Sequence, residues 1–210
     1  PERSWNLNAG FELTFLESAL RLRSDYFLTI VDDRIEKIHR DEPPVNVDRA
    51  EVHGAETIFE ARFPKVLPWL DLSSSIAYTF IHARNTDRSA SERVNKGPWL
   101  EFTPEHQVTW DLRLGFDAGT SLTLWGHSSI GQRIYVMRRA PASQDAPYSS
   151  DLYEAVRLHA PVYLNLQLSQ AVGPHIEVIA RAMNILDDYA ADPFNPGAGR
   201  QIWLGLKAGL

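Results

Sequence analysis

From its first residues the chain alternates apolar and polar positions with a period of two, and it does so in nine separate stretches. In the first, Trp5, Leu7, Ala9, Phe11, Leu13 and Phe15 interleave without a break with Ser4, Asn6, Asn8, Gly10, Glu12 and Thr14. In the last, Ile202, Leu204, Leu206, Ala208 and Leu210 interleave with Gln201, Trp203, Gly205, Lys207 and Gly209. Successive side chains of a strand point to opposite faces, so each stretch predicts a strand with one apolar face. That face needs an apolar neighbour, which is either a protein core or lipid.

Between these two, the pattern predicts a second strand with Leu20, Leu22, Tyr26, Leu28 and Ile30 on one face, and a third over about 47–63. A fourth carries Leu72, Ile76, Tyr78 and Phe80, a fifth covers about 102–116, and a sixth about 122–134. The seventh holds Val162, Leu164, Leu166 and Leu168, and the eighth runs from Ile176 to Leu186. In the third, Thr57, Phe59, Ala61 and Phe63 cannot share a face with Ala50 and Val52, which predicts a bulge near Gly54.

The links also alternate. They are short after the first, third, fifth and seventh strands and long, polar and rich in Pro, Gly and Asp after the second, fourth, sixth and eighth. Bacterial outer-membrane barrels have short periplasmic turns and long extracellular loops. A soluble β-sandwich alternates within its strands but has no reason to sort its links by length. The expected fold is therefore all-β, an antiparallel transmembrane β-barrel, with the carboxy-terminal end on the periplasmic side. Nine antiparallel strands cannot close, because the first and last would run parallel at the seam. In lipid, each unpaired backbone group at an open edge costs several kcal/mol. Further strands are expected outside the nine. The start, Pro1-Glu2-Arg3-Ser4-Trp5, has neither a Met nor a signal peptide, so the chain is expected to be a piece of a longer one.

Composition narrows the partners. With 21 Lys plus Arg against 27 Asp plus Glu, the net charge is −6, which gives no reason to expect nucleic acid. No apolar run approaches the roughly 18 residues of a membrane-spanning helix, whereas a spanning strand needs only about 10 of alternating pattern. The absence of cysteine removes disulfides, thiolate metal sites and cysteine nucleophiles. If the apolar faces meet lipid, the lumen receives Glu12, Arg21, Arg23, Asp25, Glu56, Glu60, Arg62, Glu105, Asp111, Arg113, Arg133, Glu177, Arg181 and Lys207. Charges so mixed suit a wall that pairs with another polar surface, as in large plugged barrels.

Five motifs, in order, carry a resemblance. They are Pro1-Glu2-Arg3-Ser4 running to Gly10 and Glu12, Asn46-Val47-Asp48-Arg49-Ala50 to Gly54-Ala55-Glu56, and Thr103-Pro104-Glu105-His106. Asn184-Ile185-Leu186-Asp187-Asp188-Tyr189 and Pro196-Gly197-Ala198-Gly199-Arg200 complete the set. Together the chain resembles, over essentially all of residues 1–210, the carboxy-terminal part of the barrel of TonB-dependent outer-membrane receptors. One departure is the final residue, usually Phe in that family and Leu210 here, which weakens the signal read by the barrel-assembly machinery.

The resemblance implies about nine C-terminal strands of a 22-stranded barrel in the outer membrane of a Gram-negative bacterium. It also implies energised uptake of a scarce small-molecule ligand, a ferric siderophore ahead of haem or cobalamin. The implied partners are outer-membrane lipid, an N-terminal plug domain, and the TonB-ExbB-ExbD complex reached through an N-terminal segment; neither the plug nor that segment is in this sequence. The alternative is a complete small barrel acting as a passive channel, an adhesin or a membrane hydrolase, in which the first strand would pair with the ninth. A soluble sandwich would instead bury the faces led by Leu164 and Leu204 under a second sheet.

Candidate chemistry is sparse. His127 and Ser129 share a face, but hydrolysis also needs a group to hold the base and an oxyanion site, so no catalytic residue is assigned. The seven histidines show no ligand spacing, and no metal site or cofactor is expected, with an axial haem role for His39 or His159 the nearest exception. Asp187, Asp188 and Asp192 read as a solvated loop before they read as a calcium site. Gly197-Ala198-Gly199 precedes a strand and so reads as a turn, not a phosphate cradle. Trp5, Tyr78, Phe102, Trp110 and Phe116 are expected in interfacial girdles. Ligand contact is expected from Arg133 and Tyr135, on the lumen parity at the outer end of the sixth strand, and from the adjoining Arg138 and Arg139, since Arg and Tyr suit anionic, aromatic cargo.

Overall fold

The computed structural model describes residues 1–36, 45–47, 49–86, 97–138, 153–188 and 198–209. In chain order its strands are β1 (Arg3–Phe15), β2 (Leu20–Asp32), β3 (Arg34–Glu36), β4 (Val45–Val47), β5 (Ala50–Leu67), β6 (Leu70–Asn85) and β7 (His106–Phe116), followed by β8 (Thr120–Ile130), β9 (Arg133–Met137), β10 (Tyr153–Arg157), β11 (Val162–Val172), β12 (Ile176–Met183) and β13 (Gln201–Ala208). Nine of them form one sheet in the order β1-β2-β5-β6-β7-β8-β11-β12-β13, every pair antiparallel. The other four form two ribbons, β3 with β4 and β9 with β10, each inside a long link. The nine expected strands are all present as an up-and-down meander. Among the described residues β1 and β13 are opposite edges of the sheet and do not pair, and no second sheet covers Leu204, which is 82% exposed.

Register makes the two faces continuous. Trp5 pairs with Ile30, Leu13 with Leu22, Leu22 with Phe59, Phe59 with Ile76 and Ile76 with Trp110. Two residues along β7 on the same face, a second row runs through Leu112, Leu124, Leu166, Ala182 and Ile202. Directly opposed residues share a face, so these rows together make one apolar face that crosses all nine strands. Among the described residues the buried hydrophobics are only Ala50 and Ala83, while Ile202, Leu206 and Phe11 are more than half exposed. A soluble domain of this size would bury such side chains in a core. Two hollows of the sheet are lined mainly by residues of the polar face, which is the concave one in a barrel wall whose apolar face points outward.

The bulge expected near Gly54 is not there. Phe27, Gly54 and Ile81 lie in one unbroken register, and the irregularity falls lower, between Phe63 and Leu67, where Lys65 has a φ of 55°. Strand β5 has 18 residues and is about 60 Å long, so even tilted it outruns a lipid band about 25 Å tall. Past Ala55 the outward positions are His53 and Glu51, and Ala50 and Val52 point to the concave side. The pattern inverts because the surroundings of the strand change along its length. The sixth expected strand is also shorter than its pattern: β8 stops at Ile130, and Gly131 at φ 80° turns the chain away. Phe102 likewise lies outside β7, in a left-handed conformation (φ 58°), so it is not part of a strand girdle. Trp5, Tyr78, Trp110 and Phe116 do lie on the outward face, and Phe116 stacks with Trp69 at the short-turn end at 6.0 Å.

Candidate functional site

Alternation places most of the charged side chains on the concave face, and register then pairs several of them along the wall. Arg21 donates to Glu12 at 2.7 Å and to Glu60 at 3.3 Å across three adjacent strands. Arg23 donates to Asp25 at 2.6 Å, and Arg113 and Lys207 approach Asp111 and Glu177 at 3.6 Å. A wall built this way is polar without carrying a strong net field. Arg181 differs, since it donates twice to the Gln167 side-chain oxygen, at 3.0 and 2.6 Å.

Around the Arg113–Asp111 pair, β6, β7, β8, β11 and β12 line an open hollow of about 800 Å³ that also includes Gln107, Trp125, His127, Gln167 and Arg181. His127 stacks on the Tyr163 ring with centroids 4.5 Å apart, so its ring is engaged by an aromatic neighbour. This aromatic and amide surface was missed as a site by sequence reasoning. Its signal was available: Trp125 and Tyr163 are aromatics on the polar parity of their strands.

Of the expected ligand-contact residues, Arg133, Tyr135 and Arg138 lie at the long-loop end but not on the nine-stranded sheet. Arg133 and Tyr135 belong to the ribbon β9–β10, not to an extension of β8. Arg133 is nearly buried. Its guanidinium sits 2.7 Å from the Glu105 carboxylate and its central carbon 4.1 Å from the centroid of Trp99. Arg157 reaches the other oxygen of Glu105 at 3.6 Å. The Tyr135 hydroxyl accepts the Trp99 backbone N–H at 2.9 Å, and burial pushes its phenol pKa up. Arg138 is mostly exposed and pairs with Glu154, donating through Nε at 2.7 Å. Arg139 lies outside the described residues. The structure therefore brings Arg133 and Tyr135 together and places Arg138 farther along the ribbon.

The loop carboxylates are also engaged. Asp187 accepts the Arg200 N–H at 2.8 Å; Asp188 accepts from Val162 N–H at 2.9 Å and meets His159 Nε2 at 2.7 Å. Buried Asn184 (φ 48°) donates its amide to the carbonyls of Asp188 and Ala198 and accepts the Asp188 N–H. The Asn-Ile-Leu-Asp-Asp segment is thus a staple that ties both ends of the β12–β13 link to each other and to the start of β11. Asp192, His39 and Leu210 lie outside the described residues. Among the described residues, no group of three or more His, Asp or Glu is placed to hold a metal ion.

The model of the family described as TonB dependent receptor-like, beta-barrel matches residues 1–185. No curated protein sequence matches the chain. Among solved structures, the outer membrane transporter YddB of Escherichia coli is similar at 15% identity with a TM-score of 0.74, covering 99% of this chain and 32% of that one. The FrpB iron transporter of Neisseria meningitidis is 17% identical (TM-score 0.68, 99% and 30% covered). The ferric-catecholate import receptor Fiu of E. coli is 16% identical (TM-score 0.66, 99% and 28% covered). The chain spans about a third of the length of these structures, and at such identities the likeness is one of fold.

Proposed function

The chain belongs to the TonB-dependent receptor-like β-barrel family, and on that premise we propose that it is the C-terminal part of the barrel wall of an outer-membrane receptor. In this reading the receptor sits in a Gram-negative outer membrane, and its barrel is completed by strands and a plug domain outside this sequence. It imports a scarce nutrient using energy delivered by TonB-ExbB-ExbD, with a ferric siderophore as the first candidate cargo and haem or cobalamin as the others. The wall itself does no chemistry.

The observation that carries this reading is the nine-strand sheet with a continuous apolar outward face and a concave face of laterally paired charges. Outward side chains left in the open suit lipid, and a concave wall already neutralised along its surface suits a polar filling more than a strongly selective open pore. The similar folds of a ferric-catecholate import receptor and an iron transporter support iron cargo. Ligand contact is assigned to the rim formed by the ribbon β9–β10, where an incoming anion would compete with Glu154 for Arg138. Arg133 is already committed to Glu105.

The test is growth. The complete receptor, produced in an iron-starved strain lacking its own siderophore receptors, should restore growth on a ferric siderophore, and deletion of tonB should abolish it. Rescue that survives the deletion would make the protein a passive channel. Failure on ferric siderophores, haem and cobalamin alike would overturn the import reading.

A further inference from the structure

We propose that Arg133 is a positioning residue that locks the root of the β6–β7 link (97–105) to the root of the β8–β11 link (131–137), so that the two open and close as one body. This concerns the rim of the reading above and rests on it only for what the rim is used for.

Each root has its own tether. Residues 97–105 run back along β6: Asn85 N–H donates to Pro98 O at 2.9 Å and Ile81 N–H to Glu105 O at 2.8 Å. Trp99 also carries Arg84 over its ring at 4.4 Å and His82 against it edge-on at 5.8 Å. Residues 133–137 pair instead with β10. Nothing in these ladders makes one root follow the other.

The connections between them gather on Gln132, Arg133 and Tyr135, with Gln132 Nε2 donating to the Phe102 carbonyl at 3.0 Å and Arg133 the residue that reaches two side chains of the other root. Its guanidinium lies over Trp99 and is held by Glu105, two residues of the other root, while its carbonyl accepts the Phe102 N–H at 2.9 Å. Two residues on, Tyr135 exchanges bonds in both directions, its N–H to the Glu101 carboxylate at 2.9 Å and its hydroxyl from Trp99 N–H at 2.9 Å. A planar guanidinium can stack on an aromatic and pair with a carboxylate at the same time, which a lysine cannot do. At 10% side-chain exposure the ion pair is largely shielded from screening, so it is unlike the open pairs elsewhere on the rim. Removing the guanidinium would leave Glu105 without its nearest partner and Trp99 without one of its two cations.

Amide hydrogen exchange on the complete receptor in detergent micelles tests this without ligand or TonB. Arg133→Ala should raise exchange about tenfold or more at both Trp99–Phe102 and Tyr135–Met137 while β7 and β8 stay protected. Loosening of either root with the other unchanged would overturn the proposal. Should that variant fail to fold, Glu105→Gln keeps the shape and removes the charge, and should produce the same two-root pattern at roughly threefold. Exchange confined to one root in that variant overturns it equally. A failed growth rescue leaves this result standing, and a failed exchange test leaves the import reading untouched.

Discussion

Three glycines of the sheet leave room that a larger side chain opposite them fills: Gly10 opposite Asp25, Gly54 opposite Phe27 and Gly126 opposite Trp110. In each the missing Cβ is space that the partner uses. A Cβ on Gly126 would lie 2.7 Å from the Tyr163 carbonyl oxygen and 2.8 Å from the Trp110 indole nitrogen. Gly126→Ala should therefore overpack the site and cost about 1–3 kcal/mol, read as a lower urea midpoint of the complete receptor in lipid vesicles. Asn184 works in the opposite sense, filling space with hydrogen bonds. Asn184→Ala would strip two carbonyls and one N–H of their partner in a nearly closed site, and each buried group left unpaired costs about 1–3 kcal/mol. Urea unfolding checks this, and Asn184→Asp, which keeps the acceptor but not the donor, should fall between the two.

At the scale of elements, the ribbon β9–β10 is the feature that hydrophobic pattern alone assigned wrongly. Ile130, Ile134 and Val136 keep the period of two, so the strand looked continuous. Gly131 breaks it through a backbone angle that side-chain patterning does not report. The far end of the ribbon is held by Arg138 and Glu154, and the Arg138 guanidinium lowers the Glu154 pKa. A carboxylate lowered on folding stabilises above its unfolded pKa, and that contribution is lost as pH falls through the folded value. The ribbon tip should therefore loosen as the medium is acidified below about pH 4. The check is amide exchange at 136–138 against pH, where Glu154→Gln should be loose throughout and show no such step.

For the whole molecule, the two faces should respond to charge in opposite ways. Leu124 lies mid-strand in the apolar row and Thr123 beside it faces the concave wall. Leu124→Arg should cost about 2–4 kcal/mol in a bilayer, the penalty for a cation near the midplane of a barrel's lipid face. Thr123→Arg should stay within about 1 kcal/mol, since it enters a wall that already mixes charges. Equal penalties for the two, by equilibrium unfolding in vesicles, would mean that the apolar face does not meet lipid.

Much of this was legible in the sequence. Nine strands, their antiparallel order, the sorting of links by length and the face of almost every strand residue follow from a period of two, because lipid and polar lumen impose opposite demands on neighbouring positions. Only register decided the rest. Whether Arg21 meets Glu60, or Arg133 meets Glu105, depends on which residue of one strand or loop lies against which residue of another, and no local pattern carries that information. The reversal around Gly54 shows the limit most plainly. The sequence determined that the two halves of β5 differ, and only the unbroken ladder showed that the surroundings, not the backbone, change there, because hydrogen-bond register is set by neighbouring strands and side-chain polarity by what lies beyond them.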